Sequence, residues 1–282
     1  GENEQKVYVR KRFFPGWQKQ RKKVYNQIQD FRRFDHANIA KIVTSYGQGN
    51  TLGFLTTSAQ YTLDEYLQLP ADANRTKLLL DWVNDLTQAL AYIHNMETSH
   101  KSIRPQKILI EGSRIYFSVF GISCDNDIDS PIDGETPSLQ LTDQSYIYLA
   151  PEALSRRAVN RVGDIFSLGC VFLCMLTAVK GQSVAKFQAY RGQSASRDPS
   201  FHANLDLVSI FIKKLDQISN PATHGHHRRD EAIHIERQAL TFIAAMMSAE
   251  PARRPKMKKL AHHIAKWNEK RVLMRRRSFD SG

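Results

Sequence analysis

The stretch from His94 to Ile110, HNMETSHKSIRPQKILI, constrains the fold of this chain more than any other. Upstream of it, Leu79, Val83, Leu86, Leu90 and Ile93 recur at helical spacing, so an amphipathic helix delivers the chain to His94. Downstream, Ile108-Leu109-Ile110 is a short apolar run of the kind that forms a buried strand. The polar loop between them, with His100, Lys101, Ser102 and Lys107, is therefore held at both ends by core elements.

This loop resembles the catalytic loop of protein kinases, H-R-D-L-x-x-x-N, in which the Asp accepts the substrate hydroxyl proton and the Asn holds a metal ion. On that pattern His100 takes the His position, Lys101 the Arg, Ser102 the Asp, Ile103 the Leu and Lys107 the Asn. The frame matches, Pro105 and the following strand included, but the two reactive positions do not. A serine hydroxyl is not an anionic acceptor near neutral pH. An ammonium cannot ligate Mg²⁺, which requires oxygen donors.

Further landmarks of the family follow in order. Val7 to Phe13 reads as a strand that places Val9 and Lys11 on one face. It resembles the small-lobe strand whose lysine contacts the nucleotide phosphates, with Val9 above the adenine. After a Pro15-Gly16 turn, Val24, Ile28, Phe31 and Phe34 mark a helix that ends in DHANI, Asp35 to Ile39. The position that supplies a Glu to the strand lysine is here Gln27, which can hydrogen-bond Lys11 but cannot form the ion pair of an active kinase. Strands are expected around Ala40 to Tyr46 and Leu52 to Thr57, with Thr56 beside the adenine pocket and Ser58-Ala59-Gln60 as the hinge. Only ten residues precede Lys11, with Gly1 the sole glycine among them. Either the chain is truncated there or the two strands and glycine-rich loop that cover the phosphates are absent.

Past the loop, a strand from Ile115 to Val119 runs into Phe120-Gly121, which resembles D-F-G with Val119 in place of the metal-binding Asp. Tyr148 to Glu152 resembles the A-P-E end of the activation segment. Asp164 to Gly169 resembles the D-x-x-x-x-G start of the central large-lobe helix, whose Asp secures the catalytic-loop backbone. Glu250 to Pro255 resembles the late R-P motif, which implies a buried, bidentate pair between Arg254 and Glu152. Leu205 to Ile218 and Ile233 to Met247 read as amphipathic helices.

The remaining features bound the answer. With 282 residues, 41% hydrophobic and 24% charged, the chain can bury a large core. The longest mainly apolar run, Cys170 to Val179, is too short to span a bilayer, and no signal peptide is apparent. Cys124, Cys170 and Cys174, an odd set, suit a reduced, intracellular chain, cytoplasmic or nuclear, with buried thiols. A formal charge of +12 permits nucleic acid, an anionic membrane or an acidic partner and selects none. Basic clusters at Lys19 to Lys23 and from Lys256 to Arg277 read as solvated helix faces. The segment Asp125 to Glu135 carries Ser130 and Thr136 where a calcium loop needs Gly and Glu, so an activation loop fits better than a calcium site. His224, His226 and His227, with His234 beyond, lack the spaced cysteines or carboxylates of a zinc site. Arg275-Arg276-Arg277-Ser278 resembles a site for a basic-directed kinase.

The expected fold is α+β and two-lobed, similar to protein kinases: a partial, strand-rich small lobe over 1–57, a hinge and helical large lobe over 58–270, and a basic tail over 271–282. The residues that serve geometry match the family: His100, Phe120, Gly121, Glu152, Asp164 and Arg254. Those that serve chemistry, Gln27, Ser102, Lys107 and Val119, do not. The resemblance thus implies a pseudokinase, a catalytically impaired kinase domain that binds or scaffolds an unidentified protein partner and holds no metal. Its tentative nucleotide cleft comprises Lys11, Val9, Thr56 and Lys107. Lys107, with Lys11, either holds the phosphates of ATP without Mg²⁺ or points to solvent beside an empty cleft. Two other readings stay open: residual ATP-dependent protein serine/threonine kinase activity, and a basic module for nucleic acid or membrane surfaces. The wording HKSIRPQKILI and DIFSLGCVF is most similar to fungal kinase-domain proteins.

Overall fold

The strands form two separate three-stranded sheets. In the computed structural model, which describes residues 7–123, 144–154, 160–193, 197–218 and 229–279, the first sheet contains β1 (Tyr8–Phe13), β2 (Ile42–Gln48) and β3 (Thr51–Thr57). Its order is β1-β3-β2, antiparallel throughout, with Lys11 opposite Phe54 and Val9 opposite Thr56. The central strand β3 buries Leu52, Phe54 and Thr56 along one face, and α1 (Gln18–Phe31), which buries Val24, Ile28 and Phe31, packs against the strand.

The exit of α1 is fastened to the large lobe. The amide of Asp35 donates to the Tyr92 hydroxyl at 3.1 Å, Asn38 Nδ2 to the Ile115 carbonyl at 2.6 Å and Arg114 Nε to the Ala37 carbonyl at 2.7 Å. The expected DHANI exit is thus the point where one lobe is bonded to the other. The connection after β3 runs through a short strand β4 (Tyr61–Thr62), which pairs with β5 (Ile108–Glu111), itself paired with β6 (Arg114–Phe117). A capping box between Thr62 and Glu65 starts the single turn α2 (Leu63–Tyr66).

In the large lobe, α3 (Ala73–Asn95) is capped by Asp72 and presents Leu79, Val83, Leu86, Leu90 and Ile93 to the core. Single turns α4 (Gln144–Ile147) and α5 (Pro151–Leu154) lead to α6 (Arg161–Val179), in which every residue from Gly163 to Val179 is buried. The helix starts earlier than the apolar run alone suggests, because Asn160 caps it by accepting from the amides of Val162 and Gly163. It is therefore long and apolar enough to cross a membrane, yet it is the core helix of the fold, 94% buried and packed between α3 and α9. Cys170 and Cys174 are buried on it as free thiols. The remaining helices are α7 (Val184–Arg191), α8 (Leu205–Gln217), α9 (Arg229–Met246) and α10 (Met257–Phe279). The segment expected as a separate basic tail from residue 271 instead continues α10. Arg271 is buried there against Asp81 of α3 and the Trp267 ring, an exception to the solvated face expected of this cluster.

Candidate functional site

A buried carboxylate organises the catalytic-like loop. Asp164, only 1% exposed, accepts from the amides of His100 and Lys101, both at 2.8 Å, and from His94 Nε2 at 3.0 Å. These bonds hold Lys101 in the left-handed region at φ 66°, a conformation that costs an ordinary residue on the order of 1 kcal/mol or more. The His100 ring is buried, stacks on Phe120 at 4.3 Å and lies 4.9 Å from Phe117. Phe120 in turn meets Phe31 of α1 at 5.1 Å, so one aromatic column joins the loop, the F-G turn and the small-lobe helix. Gly121 follows at φ 71°, where a side chain would be strained.

Arg254 and Glu152 meet across the large lobe as a buried fork. Both guanidinium nitrogens donate to the carboxylate, at 2.6 and 2.8 Å, and further bonds run to the Ser248 and Val162 carbonyls. The Phe166 ring lies beneath the guanidinium at 5.0 Å. The fork fastens the A-P-E stretch to α6.

Between the lobes lies a cleft of about 360 Å³ walled by Val9, Phe54, Leu109 and Val119. Lys11, Thr56 and Lys107, named from sequence, line it together with Ser118. Lys11 is exposed as a residue yet borders this space, and desolvation there lowers its pKa. The Lys107 ammonium is also lowered, first by burial and then by the positive charges of Lys11 and Arg104. Glu65 also lines the cleft, its carboxylate accepting from the Thr62 amide and hydroxyl at 2.7 and 2.8 Å, and neither lysine has an ion pair among the described residues. The hydroxyls of Thr56 and Ser118 are buried with no hydrogen-bond partner among the described residues. Two cations and two residues with unsatisfied hydroxyls thus line one cleft.

The chemistry positions occupy their places with altered groups. Arg104 Nη1 donates to Ser102 Oγ at 3.1 Å, so a guanidinium, not a substrate hydroxyl, engages the residue at the base position. Gln27 Oε1 accepts from the Ser123 amide at 3.2 Å; the amide expected to reach Lys11 braces the chain after the F-G turn. Val119 is buried. The sequence patterns do not single out Arg104 or Ser118; the available sign was position, Arg104 two residues after Ser102 and Ser118 immediately before Val119.

The residues present fit a polyphosphate and do not fit a metal. At the two positions that grip Mg²⁺ in the family pattern stand an ammonium and an isopropyl group, neither of which is an oxygen donor. Among the described residues no group of three or more His, Cys, Asp or Glu side chains forms a metal site. The calcium-like segment, His224, His226 and His227, Cys124 and the side chains of Arg275 to Ser278 lie outside the described residues. His234 is exposed, its Nε2 2.9 Å from Gln238.

One constellation elsewhere has the outline of a nucleophile and base. Ser200 Oγ lies 3.1 Å from His202 Nε2, while His202 Nδ1 donates to the Leu149 carbonyl at 3.1 Å. Ser200 is fully buried, so the pair ties its segment to the A-P-E stretch rather than meeting a substrate.

The family model described as "Protein kinase domain" matches residues 2–265. The chain belongs to the protein kinase family. Among relatives, this kinase domain is 20% identical over 245 residues to cyclin-dependent kinase F-4 of Oryza sativa subsp. japonica, covering 84% of this chain and 50% of that protein. It is 28% identical over 165 residues to the mitogen-activated protein kinase kinase kinase MST11 of Pyricularia oryzae, covering 54% and 17%. With the MAP kinase kinase kinase wis4 of Schizosaccharomyces pombe it shares 28% over 176 residues, covering 55% and 12%. The chain spans half the length, or less, of these relatives. The structure of Rad53 residues 1–466 in complex with AMP-PNP shares the fold at a TM-score of 0.59 and 16% identity, covering 92% of this chain and 57% of that one.

Proposed function

We propose that this kinase domain is a pseudokinase: it acts by contact with a protein partner, and its cleft holds a nucleotide polyphosphate without Mg²⁺. The observation that carries the reading is the sign of the cleft. Phosphoryl transfer depends on positioning and on metal ions that neutralise charge on the phosphates. Here Lys107 stands in a metal position beside Lys11, and Val119 supplies no carboxylate. The cations themselves would neutralise the phosphates, with Thr56 and Ser118 as hydroxyl donors, and Ser102, engaged by Arg104, is no proton acceptor. That a protein of the same fold, Rad53, is described in complex with AMP-PNP supports a nucleotide as the ligand. The wording of the loop and central helix, and the two fungal relatives, support a fungal member of the family. The chemistry and cysteine usage argue for an intracellular module.

The kinase names of the relatives favour a second reading, residual protein kinase activity. Calorimetric titration with ATP, first in excess EDTA and then in excess Mg²⁺, separates the two. The pseudokinase reading expects binding in EDTA that weakens about tenfold in Lys107→Asn, the loss of roughly one charge-assisted contact. Binding only with Mg²⁺, together with phosphate transfer to a generic protein substrate, would establish the kinase reading instead.

A further inference from the structure

We propose that the outer face of the small-lobe sheet, together with the turn between β1 and α1, is a docking surface for an anionic membrane. The arginines of β1 meet the lipid headgroups, and Phe14 and Trp17 enter the boundary layer beneath them. The inference concerns the side of the sheet turned away from the cleft and does not rest on what the cleft holds.

The strand register separates the two sides. Val9 and Lys11 line the cleft, so Tyr8, Arg10 and Arg12 stand on the opposite face of β1. There they lie directly across from Thr57, Leu55 and Gly53 of β3. On the cleft side of β3, Leu52, Phe54 and Thr56 are buried, whereas all three residues of the β1 row are exposed. On β2, Tyr46 is opposite Gly53, and a Cβ on that glycine would lie 2.6 Å from Tyr46 Cζ. The ring thus crosses the strand at a point where no side chain rises. Arg12 leads to the turn, its guanidinium 5.9 Å from the centre of the Phe14 ring. The turn is pinned by the Gly16 amide, which donates to Gln20 Oε1 at 2.6 Å. On it Phe14 is 67% and Trp17 54% exposed.

Two distributions select the occupant. Seven of the twelve large apolar side chains exposed among the described residues fall in 7–57, so the apolar surface is concentrated on this lobe. The same stretch holds ten Lys and Arg against two Asp and Glu, a net +8, and one of the two acids, Asp35, is paired with Lys41. A second copy of this chain is repelled by that charge. A nucleic acid satisfies the arginines but leaves Phe14 and the exposed Val43 in water, because its phosphates meet cations and its bases stack on flat rings spaced along a groove. An anionic bilayer takes both. Its surface potential attracts the cations, and aromatic side chains settle at headgroup level with apolar neighbours beside them.

Trp17 makes the test direct, because the other two tryptophans, Trp82 and Trp267, are buried. The whole chain is mixed with vesicles of phosphatidylcholine, with or without phosphatidylserine, and sedimentation with the vesicles and tryptophan emission are both read. Binding with a blue shift is expected only when phosphatidylserine is present, and it should decline as salt is raised. Arg10→Glu with Arg12→Glu should weaken binding by about tenfold or more. Phe14→Ala should weaken it several-fold, and Trp17→Phe should bind within about twofold of the wild type while losing the shift. The same charge reversal on exposed positions of α10, Lys258→Glu with Lys259→Glu, should cost less than about twofold, because distant surface charges are screened. All the substituted positions are exposed, so unchanged urea midpoints separate lost binding from lost folding. Equal losses from the two reversals, equal binding to phosphatidylcholine alone, or sedimentation without a shift in emission would each overturn the proposal. So would tighter binding of polyglutamate or a single-stranded oligonucleotide than of the vesicles, or no binding by the wild type. None of these outcomes moves the EDTA titration of the cleft, so the two readings fail separately.

Discussion

His100 shows what burial does to a group that in this loop has kept its frame and lost its chemical partners. Desolvation, only partly offset by the nearby Asp164 carboxylate, lowers its pKa from 6.5 to about 4. An unfolded chain binds that proton near pH 6.5, whereas the folded one does not until about pH 4. Between those values the unfolded state carries more protons, so stability contributed by neutral His100 is full above pH 6.5 and is lost as the pH falls toward 4. The complete loss amounts to about 3 kcal/mol. His100→Asn keeps an acceptor for the Ser102 amide and removes the titration. Its urea-unfolding free energy should start lower at pH 7 and fall less steeply between pH 6.5 and 4.5 than that of the wild type. Parallel slopes would mean that other groups carry the acid sensitivity.

At the scale of elements, α6 depends on a missing side chain. A Cβ on Gly169 would lie 2.9 Å from Met246 Cβ and 2.9 Å from Met247 Cγ, closer than side chains approach. Ala would favour the helix by about 1 kcal/mol, but overpacking of a filled core costs roughly 1–3 kcal/mol, and the contact at Met246 is with an atom fixed to the backbone. Gly169→Ala is therefore expected to destabilise by about 1 kcal/mol net, seen as a lower midpoint in urea with an unchanged slope. A stabilised variant would show that α9 slides away freely. This glycine was legible from its spacing after Asp164, and so were the buried faces of α1 and α3, because each is a local pattern read along one helix. The fork between Arg254 and Glu152 was legible too, though far apart in sequence, because both belong to motifs. Contacts outside any motif were not. Nothing in the spacing of α1 says that Gln27 turns to the Ser123 amide, and nothing in the basic run of α10 separates the buried Arg271 from its solvated neighbours. Each is decided by which element happens to pack alongside, and a single sequence does not display that.

For the whole molecule, the distribution of charge and the state of the cleft belong to one design. The large lobe keeps the family's fasteners, Asp164 under the loop and Arg254 on Glu152, while the small lobe carries most of the net positive charge and contributes Lys11 to a cleft whose lining carboxylate, Glu65, is bonded to Thr62. If absent oxygen donors are what separate this domain from a metal-using kinase, restoring them should change the ligand it prefers. Val119→Asp with Lys107→Asn would put a carboxylate and an amide oxygen beside Ser118 in the cleft, the hard donors Mg²⁺ takes. In that double variant, ATP binding in EDTA is expected to weaken by about tenfold or more, because a cation has been removed and an anion added near the phosphates. Binding should return when Mg²⁺ is supplied. Val119→Asp alone should lose binding in both buffers, since the new carboxylate pairs with the retained Lys107 and Lys11 ammoniums instead of a metal. Phosphate transfer should stay absent from both variants while Ser102 holds the base position. A double variant that binds ATP as the wild type does, with and without Mg²⁺, would show that the cleft's preference is set elsewhere in the fold.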